Sequence, residues 1–301
     1  MTDGRLKVKI WIALVALYIV WGSTYLGMRI AIETIPPFVQ GAIRFFISGV
    51  IIITWQRFNG ESMPTGRQWI SCAIIGNLLL VGGNGLVSWA EQTIPSGIAA
   101  LIIAAVPMFM VIMEALRPHG HKPTLKALIG LCIGFIGIYI LVAPGAGLHH
   151  QALNVAGVLA LLAACVFWSI GSVYSKAADV PASAFVTMGA EMLMGSVGLL
   201  VMSLLTHELQ HWHVSDISAR SMYGLAYLVA IGSMIGFGSY IWLLKHAPIS
   251  LVATYAYVNP IVAVLLGAWI VNEPLDPHIW IATAIIIGSV MLVNSKRATS
   301  P

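Results

Sequence analysis

Trp21-Gly22-Ser23-Thr24-Tyr25 decides how this chain is read, because its core returns as Gly171-Ser172-Val173-Tyr174, 149 residues later. Trp89, Pro95 and Pro107 return as Trp242, Pro248 and Pro260, each 153 residues on. Pro123 and Gly137 return as Pro274 and Gly288, each 151 residues on. A drift of a few residues is what loop insertions and deletions leave between two related halves. Those halves are expected to be residues 1–147 and 148–301. Each carries five long apolar segments. An odd number of membrane crossings turns the second half upside down relative to the first, an arrangement shared by many secondary transporters.

Hydrophobic residues make up 59% of the 301 positions and charged residues only 9%, against about 25% charged in a soluble domain. A mean hydropathy of +0.91 excludes a soluble enzyme or binding module. Apolar runs of roughly 20 residues between short polar joints are what a bilayer of ~30 Å asks of helices. The expected fold is an all-α membrane protein: ten transmembrane helices as two inverted five-helix repeats around a central cavity. The spans are read at 10–32, 38–56, 69–90, 95–115, 124–143, 154–175, 181–205, 219–244, 249–271 and 277–294. Pro118, Pro144-Gly145 and Pro274 mark joints between them.

Three cysteines, Cys72, Cys132 and Cys165, fall far apart inside apolar spans and read as small core residues rather than a disulfide or metal framework. The N-terminal apolar run is too long for a cleaved signal and is expected to stay. Orientation follows the Lys and Arg tally. With both termini cytoplasmic, twelve of the fifteen basic residues, from Arg5, Lys7 and Lys9 to Arg117, Lys122, Lys296 and Arg297, lie on the inner side. Only Arg220 lies in an outer loop, and Arg29 and Arg44 are inside spans. The excess charge is therefore a topology signal, and no nucleic-acid partner is expected.

The Trp-Gly-Ser-Thr-Tyr run at 21–25, Gly83-Asn84-Gly85, Pro-Ser-Gly-Ile-Ala-Ala at 95–100 and Thr-Tyr-Ala-Tyr-Val-Asn-Pro at 254–260 resemble the EamA-type branch of the drug/metabolite transporter superfamily. The resemblance runs from about residue 11 to 293 and includes the five-plus-five duplication. It implies an inverted-repeat carrier in a plasma membrane, the inner membrane of a bacterium, that moves amino acids, metabolites or amphipathic compounds. It does not name the cargo.

Glycine-interrupted spans at matching places in two halves point to a midplane site, because a loosened helix offers backbone groups to a substrate. The third span has Gly82-Gly83-Asn84-Gly85 and the eighth has Gly232, Gly236 and Gly238. At the 153 offset Gly83 meets Gly236 and Gly85 meets Gly238. Close helix packing by small residues is the competing explanation. Pro107 and Pro260 are expected to break or hinge the fourth and ninth spans.

Arg44 lies ~9 Å below the expected outer surface. It either snorkels to that surface or turns inward to a cavity or an ion pair. Glu191 lies about 15 Å into the seventh span, where a carboxylate must be paired, protonated or facing water. It is the candidate for proton coupling. Trp21 and Tyr25, Trp168 and Tyr174, and Tyr255 with Asn259 four residues on supply aromatic and polar faces. With Arg44, Asn84 and Glu191 they form the candidate substrate lining; ordinary packing is the alternative for each aromatic.

Arg29, Glu33 and Glu91 are read as a solvated rim, with a gate salt bridge as the alternative. His207, Glu208, His211, His213 and Asp216 cluster in one loop, as His119/His121 and His149-His150 do elsewhere, without metal-site spacing, so no metal and no cofactor are expected. Gly130, Gly134 and Gly137 in the fifth span, and Ala284 and Gly288 in the tenth, would pack those helices together or form a homodimer seam. Without a P-loop or a catalytic motif, the chain is expected to be a secondary transporter exporting a small metabolite by alternating access. A uniport facilitator and a non-enzymatic membrane partner subunit are the alternatives.

Overall fold

The computed structural model describes residues 2–116, 123–142, 153–210, 212–247, 249–252, 254–273 and 277–294. Pro118, Pro144, Gly145, Pro248 and Pro274, five histidines (119, 121, 149, 150 and 211), and Arg117, Lys122, Lys296 and Arg297 lie outside the described residues.

The described chain is helical and contains no strand. In order it forms α1 (Thr2–Ala31), α2 (Pro37–Phe58), α3 (Gly66–Gly76), a π-helical stretch Asn77–Gly85 and α4 (Leu86–Ala90). Then come α5 (Ser96–Ile103), α6 (Val106–Leu116), α7 (Leu125–Val142), α8 (Val155–Ser175) and α9 (Ala184–Leu205). Next is α10 (Ala219–Tyr227), continued by a second π-helical stretch Leu228–Gly236 into α11 (Phe237–His246). The last helices are α12 (Ile249–Val252), α13 (Tyr255–Val271) and α14 (Pro277–Asn294). Among the described residues seven helical rods are long and apolar enough to cross a membrane, and Leu125–Leu141, Tyr255–Val271 and Pro277–Leu292 are shorter apolar helices.

Local chemistry sets the ends. Thr65 opens α3 with a capping box, its hydroxyl accepting from the Gln68 amide at 3.3 Å while the Gln68 side chain accepts from the Thr65 amide at 3.0 Å. Asn154 caps α8 and Ser218 caps α10 with one bond each, accepting from the Gly157 and Ser221 amides. α1 starts at Thr2 rather than residue 10, since the basic residues preceding the apolar run are good helix formers. α9 starts at Ala184 rather than 181, with Thr187 donating back to the Pro181 carbonyl at 3.1 Å.

α2 packs along α9, α7 along α14, and α5 along α13. α1 lies between α13 and the α10–α11 rod, while α8 lies between α6 and the α3–α4 rod. Exchanging the first-half elements for their second-half counterparts leaves the first three pairings in place and interchanges those of α1 with those of α8. Met28, Val87, Ile98 and Leu161 belong to one buried cluster, and Leu101, Met108, Leu131, Val264 and Ile286 to a second. Large side chains such as Phe46, Ile51, Leu159 and Trp269 point outward, the pattern of a surface bathed in hydrocarbon rather than water.

The small-residue face of α7 is used within the chain. A Cβ on Gly137 would stand 2.9 Å from Ile285 and Ile286, and one on Gly134 would stand 2.6 Å from the Ser289 hydroxyl. Gly288 faces open space, so the expected Ala284/Gly288 stripe is not what meets α7.

Candidate functional site

The two glycine-interrupted rods are widened at matching places. Asn77–Gly85 and Leu228–Gly236 are both nine-residue π-helical stretches, and each end of the second lies 151 residues after the first. Pairing through i→i+5 bonds widens the helix and is common at functional sites. Asn77 supports its stretch by donating to the Ala73 carbonyl at 2.8 Å. Gly198 leaves room for that amide, since a Cβ there would run into the Asn77 side-chain oxygen. Gly83, Gly85 and Gly236 fall in these stretches. Gly238 does not: it lies in α11 with nothing within 4 Å of a built Cβ. The ends of the two stretches are 151 residues apart, whereas Gly83 and Gly236, 153 apart, are the glycines that face a tryptophan.

Each widened stretch receives a tryptophan from the other half. A Cβ on Gly83 would be 2.7 Å from Trp168 Cε3 of α8, and one on Gly236 would be 2.7 Å from Trp21 Cδ1 of α1. Trp21 also meets Phe237 and Tyr240 at 5.2 Å and Tyr255 at 4.9 Å between ring centroids. Tyr18 hydrogen-bonds Thr254 beside this aromatic group.

Asn259 is buried where α1 crosses α13. With its amide turned so that the nitrogen faces the two neighbouring carbonyls, it donates to Tyr18 at 3.2 Å and to Tyr255 at 3.1 Å. Gly22 permits the crossing, because a Cβ there would stand 2.6 Å from Val262. Pro260 does not break its helix, for α13 continues through it to Val271. Pro107 follows a true interruption between α5 and α6. There α8 supplies donors to exposed carbonyls, Cys165 to Ile102 at 3.6 Å and Ser169 to Val106 at 3.3 Å.

Arg44 turns inward and does not snorkel. It is 4% exposed, and its Nε donates to the Ser233 hydroxyl of the second π-helical stretch at 3.2 Å. Its guanidinium also lies 4.7 Å from the Phe45 ring centroid. Glu191 on α9 is half-buried and lies beside Gly76, whose built Cβ would collide with the Glu191 backbone. No hydrogen bond or ion pair joins Arg44 to Glu191 among the described residues. Asn84 is half-buried, Tyr25 packs against the Met28–Ile98–Leu161 cluster, and Tyr174 is exposed near the end of α8.

A cleft of about 390 Å³ opens at the end of the fold where Arg29, Glu33, Gln92, Arg220, Asn272 and Glu273 meet. Arg220 pairs with Glu33 at 3.2 Å. Arg29 donates to the backbone carbonyls of Glu91 at 2.5 Å and Gln92 at 3.4 Å. Glu91 is not part of a solvated rim: its side chain is fully buried, and neither carboxyl oxygen has a hydrogen-bond partner among the described residues. Burial holds its carboxyl well above the usual range; neighbouring Glu273 pushes the same way, and Arg29 opposes them.

Glu273 was not picked out from the sequence, and it organises this face. α5 opens at Pro95, which has no side-chain acceptor. Glu273 supplies one, accepting from the Ser96 amide at 2.7 Å, the Ser96 hydroxyl at 2.8 Å and the Gly97 amide at 3.0 Å. Asn272 adopts the left-handed conformation that ends α13 and turns the chain toward α5. Gly97 and Gly267 leave the necessary space. Glu208 plays the same part for α2, which begins after Pro36. It accepts from the Phe38 and Val39 amides at 3.1 Å. Burial raises its carboxyl, and those two bonds work against the shift. The acid from the expected incidental cluster is thus a helix cap.

These features define a polytopic helical membrane protein with two corresponding π-helical rods. The description "EamA-like transporter family" matches the chain twice, over residues 8–143 and 155–295, and the chain belongs to that family of membrane transporters. It is 36% identical over 291 residues to YedA of Escherichia coli K12, described as an uncharacterized inner membrane transporter, covering 96% of this chain and 92% of that one. It is 24% identical over 292 residues to the uncharacterized transporter YvbV of Bacillus subtilis, with 96% and 93% covered. A solved crystal structure shares the fold with a TM-score of 0.64 at 21% identity, over 94% of this chain and 95% of that one.

Proposed function

We propose that the chain is a secondary transporter with ten membrane spans, built as two inverted five-helix halves. In this reading both termini are cytoplasmic and a small metabolite, such as an amino acid or an amphipathic compound, moves outward by alternating access. The observation that carries it is the matched pair of π-helical stretches at 77–85 and 228–236, each gripped by a tryptophan of the opposite half. A widened helix packed on a bulky partner has two competing arrangements, and such bistable contacts turn small displacements into opening and closing.

The duplicated devices serve the motion, and the unduplicated polar side chains meet the substrate. Arg44, Asn84 and Glu191 are those groups, and the Glu191 carboxylate, which has no hydrogen bond or ion pair among the described residues, is placed to take a cationic group or a proton. Trp21, Trp168 and Tyr255 form the apolar walls beside them. Purified protein in liposomes is expected to carry amino acids or amphipathic cations, with Glu191→Gln lowering flux and changing its pH dependence. Flux for none of these classes would refute the transporter reading. Normal flux with unchanged pH dependence in Glu191→Gln would remove Glu191 from it.

A further inference from the structure

Glu91 is the first residue beyond α4, directly before Gln92 and Thr93, which line the Arg29–Glu273 cleft. It is fully buried, and among the described residues neither of its carboxyl oxygens has a hydrogen-bond partner. The charged groups around it are already engaged. From α1, Arg29 gives its hydrogen bonds to the Glu91 and Gln92 carbonyls, and Tyr25 approaches the same carboxyl. After α13, Glu273 is committed to Ser96 and Gly97. Glu33 and the α10 residue Arg220 pair with each other across the cleft. α5 and the facing 155–162 stretch of α8 contain no ionisable side chain. From α2, neutral Gln40 accepts from Ser88, and Arg44, one turn on, donates to Ser233.

An ionised carboxylate cannot stay in such a place without a partner or water. We propose that Glu91 is a proton-binding site tied to closure of this cleft, protonated while Arg29 holds the Glu91–Gln92 turn and ionised when the two part. On opening, the carboxyl O–H breaks and its proton passes to water entering the cleft, leaving a hydrated carboxylate. The inference rests on the alternating-access reading for its role in transport, though not for its detection.

The sign follows from linkage. The closed state holds one proton more than the open state, so acid favours closure. Closed-state stabilisation is complete below the open-state titration point and is lost as pH rises through the closed-state one. Between those points the open-to-closed ratio grows by about tenfold per pH unit for one proton.

The test is a spin-label distance between Gln92→Cys and the exposed α10 position Tyr223→Cys, in a Cys132→Ser background in lipid nanodiscs. Measured from about pH 5 to about pH 9, the longer distance is expected to gain population by up to about tenfold per pH unit. Glu91→Gln is expected to hold the shorter distance at every pH. Glu273→Gln removes the neighbouring like charge and should move the transition to lower pH. Glu33→Gln, at the far wall, should retain the wild-type slope. Distances that do not change with pH in the unaltered side-chain background would overturn the proposal, as would a wild-type slope in Glu91→Gln. Because no substrate is needed, absent flux beside pH-linked closure would count against transport alone. Flux beside pH-independent distances would count against the Glu91 site alone.

Discussion

Glu273→Ala gives the sharpest test of how the cleft face is held together. It removes one acceptor group from three hydrogen bonds, two of them to backbone amides at the start of α5 and one to the Ser96 hydroxyl. Loss of a helix cap costs about 0.5–2 kcal/mol. Each buried donor left without a partner costs about 1–3 kcal/mol more. Ser96 is fully buried, so its amide cannot simply turn to solvent, whereas its hydroxyl can rotate to another acceptor. Water entering through the adjoining cleft relieves part of the rest. The net destabilisation worked from these terms is about 2–4 kcal/mol, a melting shift of roughly 5–10 °C. Glu273→Gln keeps an acceptor oxygen and loses mainly the charge at the positive end of α5, about 0.3–1 kcal/mol. Thermal unfolding in detergent, followed by alkylation of buried Cys72 and Cys165, reads both variants. An Ala variant melting with the wild type, or a Gln variant as damaged as Ala, would refute the capping argument.

Other outcomes can be checked with the same assay. Gly76→Ala drives a methyl into the Glu191 backbone and should cost about 1–3 kcal/mol through separation of α3 from α9; a neutral result would mean that contact is loose. Gly288→Ala meets nothing within 4 Å and should stay within about 0.5 kcal/mol of wild type. Glu208→Ala uncaps α2 and should lower stability by about 1 kcal/mol, with thermal unfolding as the readout. Arg44→Lys loses the Nε bond to Ser233 because an ammonium cannot reproduce guanidinium geometry. Reconstituted flux should fall while the melting temperature changes less than in Arg44→Ala.

The positions of most helices were legible because lipid makes apolar length a direct signal. The two loosened rods, and the match of Gly83 with Gly236, were legible from their glycines, since each of the two meets a tryptophan of the opposite half. Where the backbone widening begins, at Asn77 and Leu228, was not. A shared glycine records a need for space, and the space is dictated by whichever tryptophan arrives from the other half. Pro260 shows the same limit. The missing N–H argues for a break, yet the helix continues where Asn259, a residue away, ties Tyr255 to Tyr18.

Glu91 was misread for a related reason. At a helix end a carboxylate is ordinarily solvated, and its local sequence contains no sign of burial. Its turn is held by Arg29, 62 residues away, beside a loop fixed by Glu273. Two cues pointed to that loop: Pro95 leaves α5 without a side-chain cap, and Asn272 before Glu273 is a residue suited to ending a helix in the left-handed region. Neither cue says which distant helix an acid will cap, since that depends on how α13 packs along α5. The same dependence makes the cleft a natural point of control. Parting α13 from α5 would uncap a helix, move the charge beside Glu91 and admit water to it in one displacement.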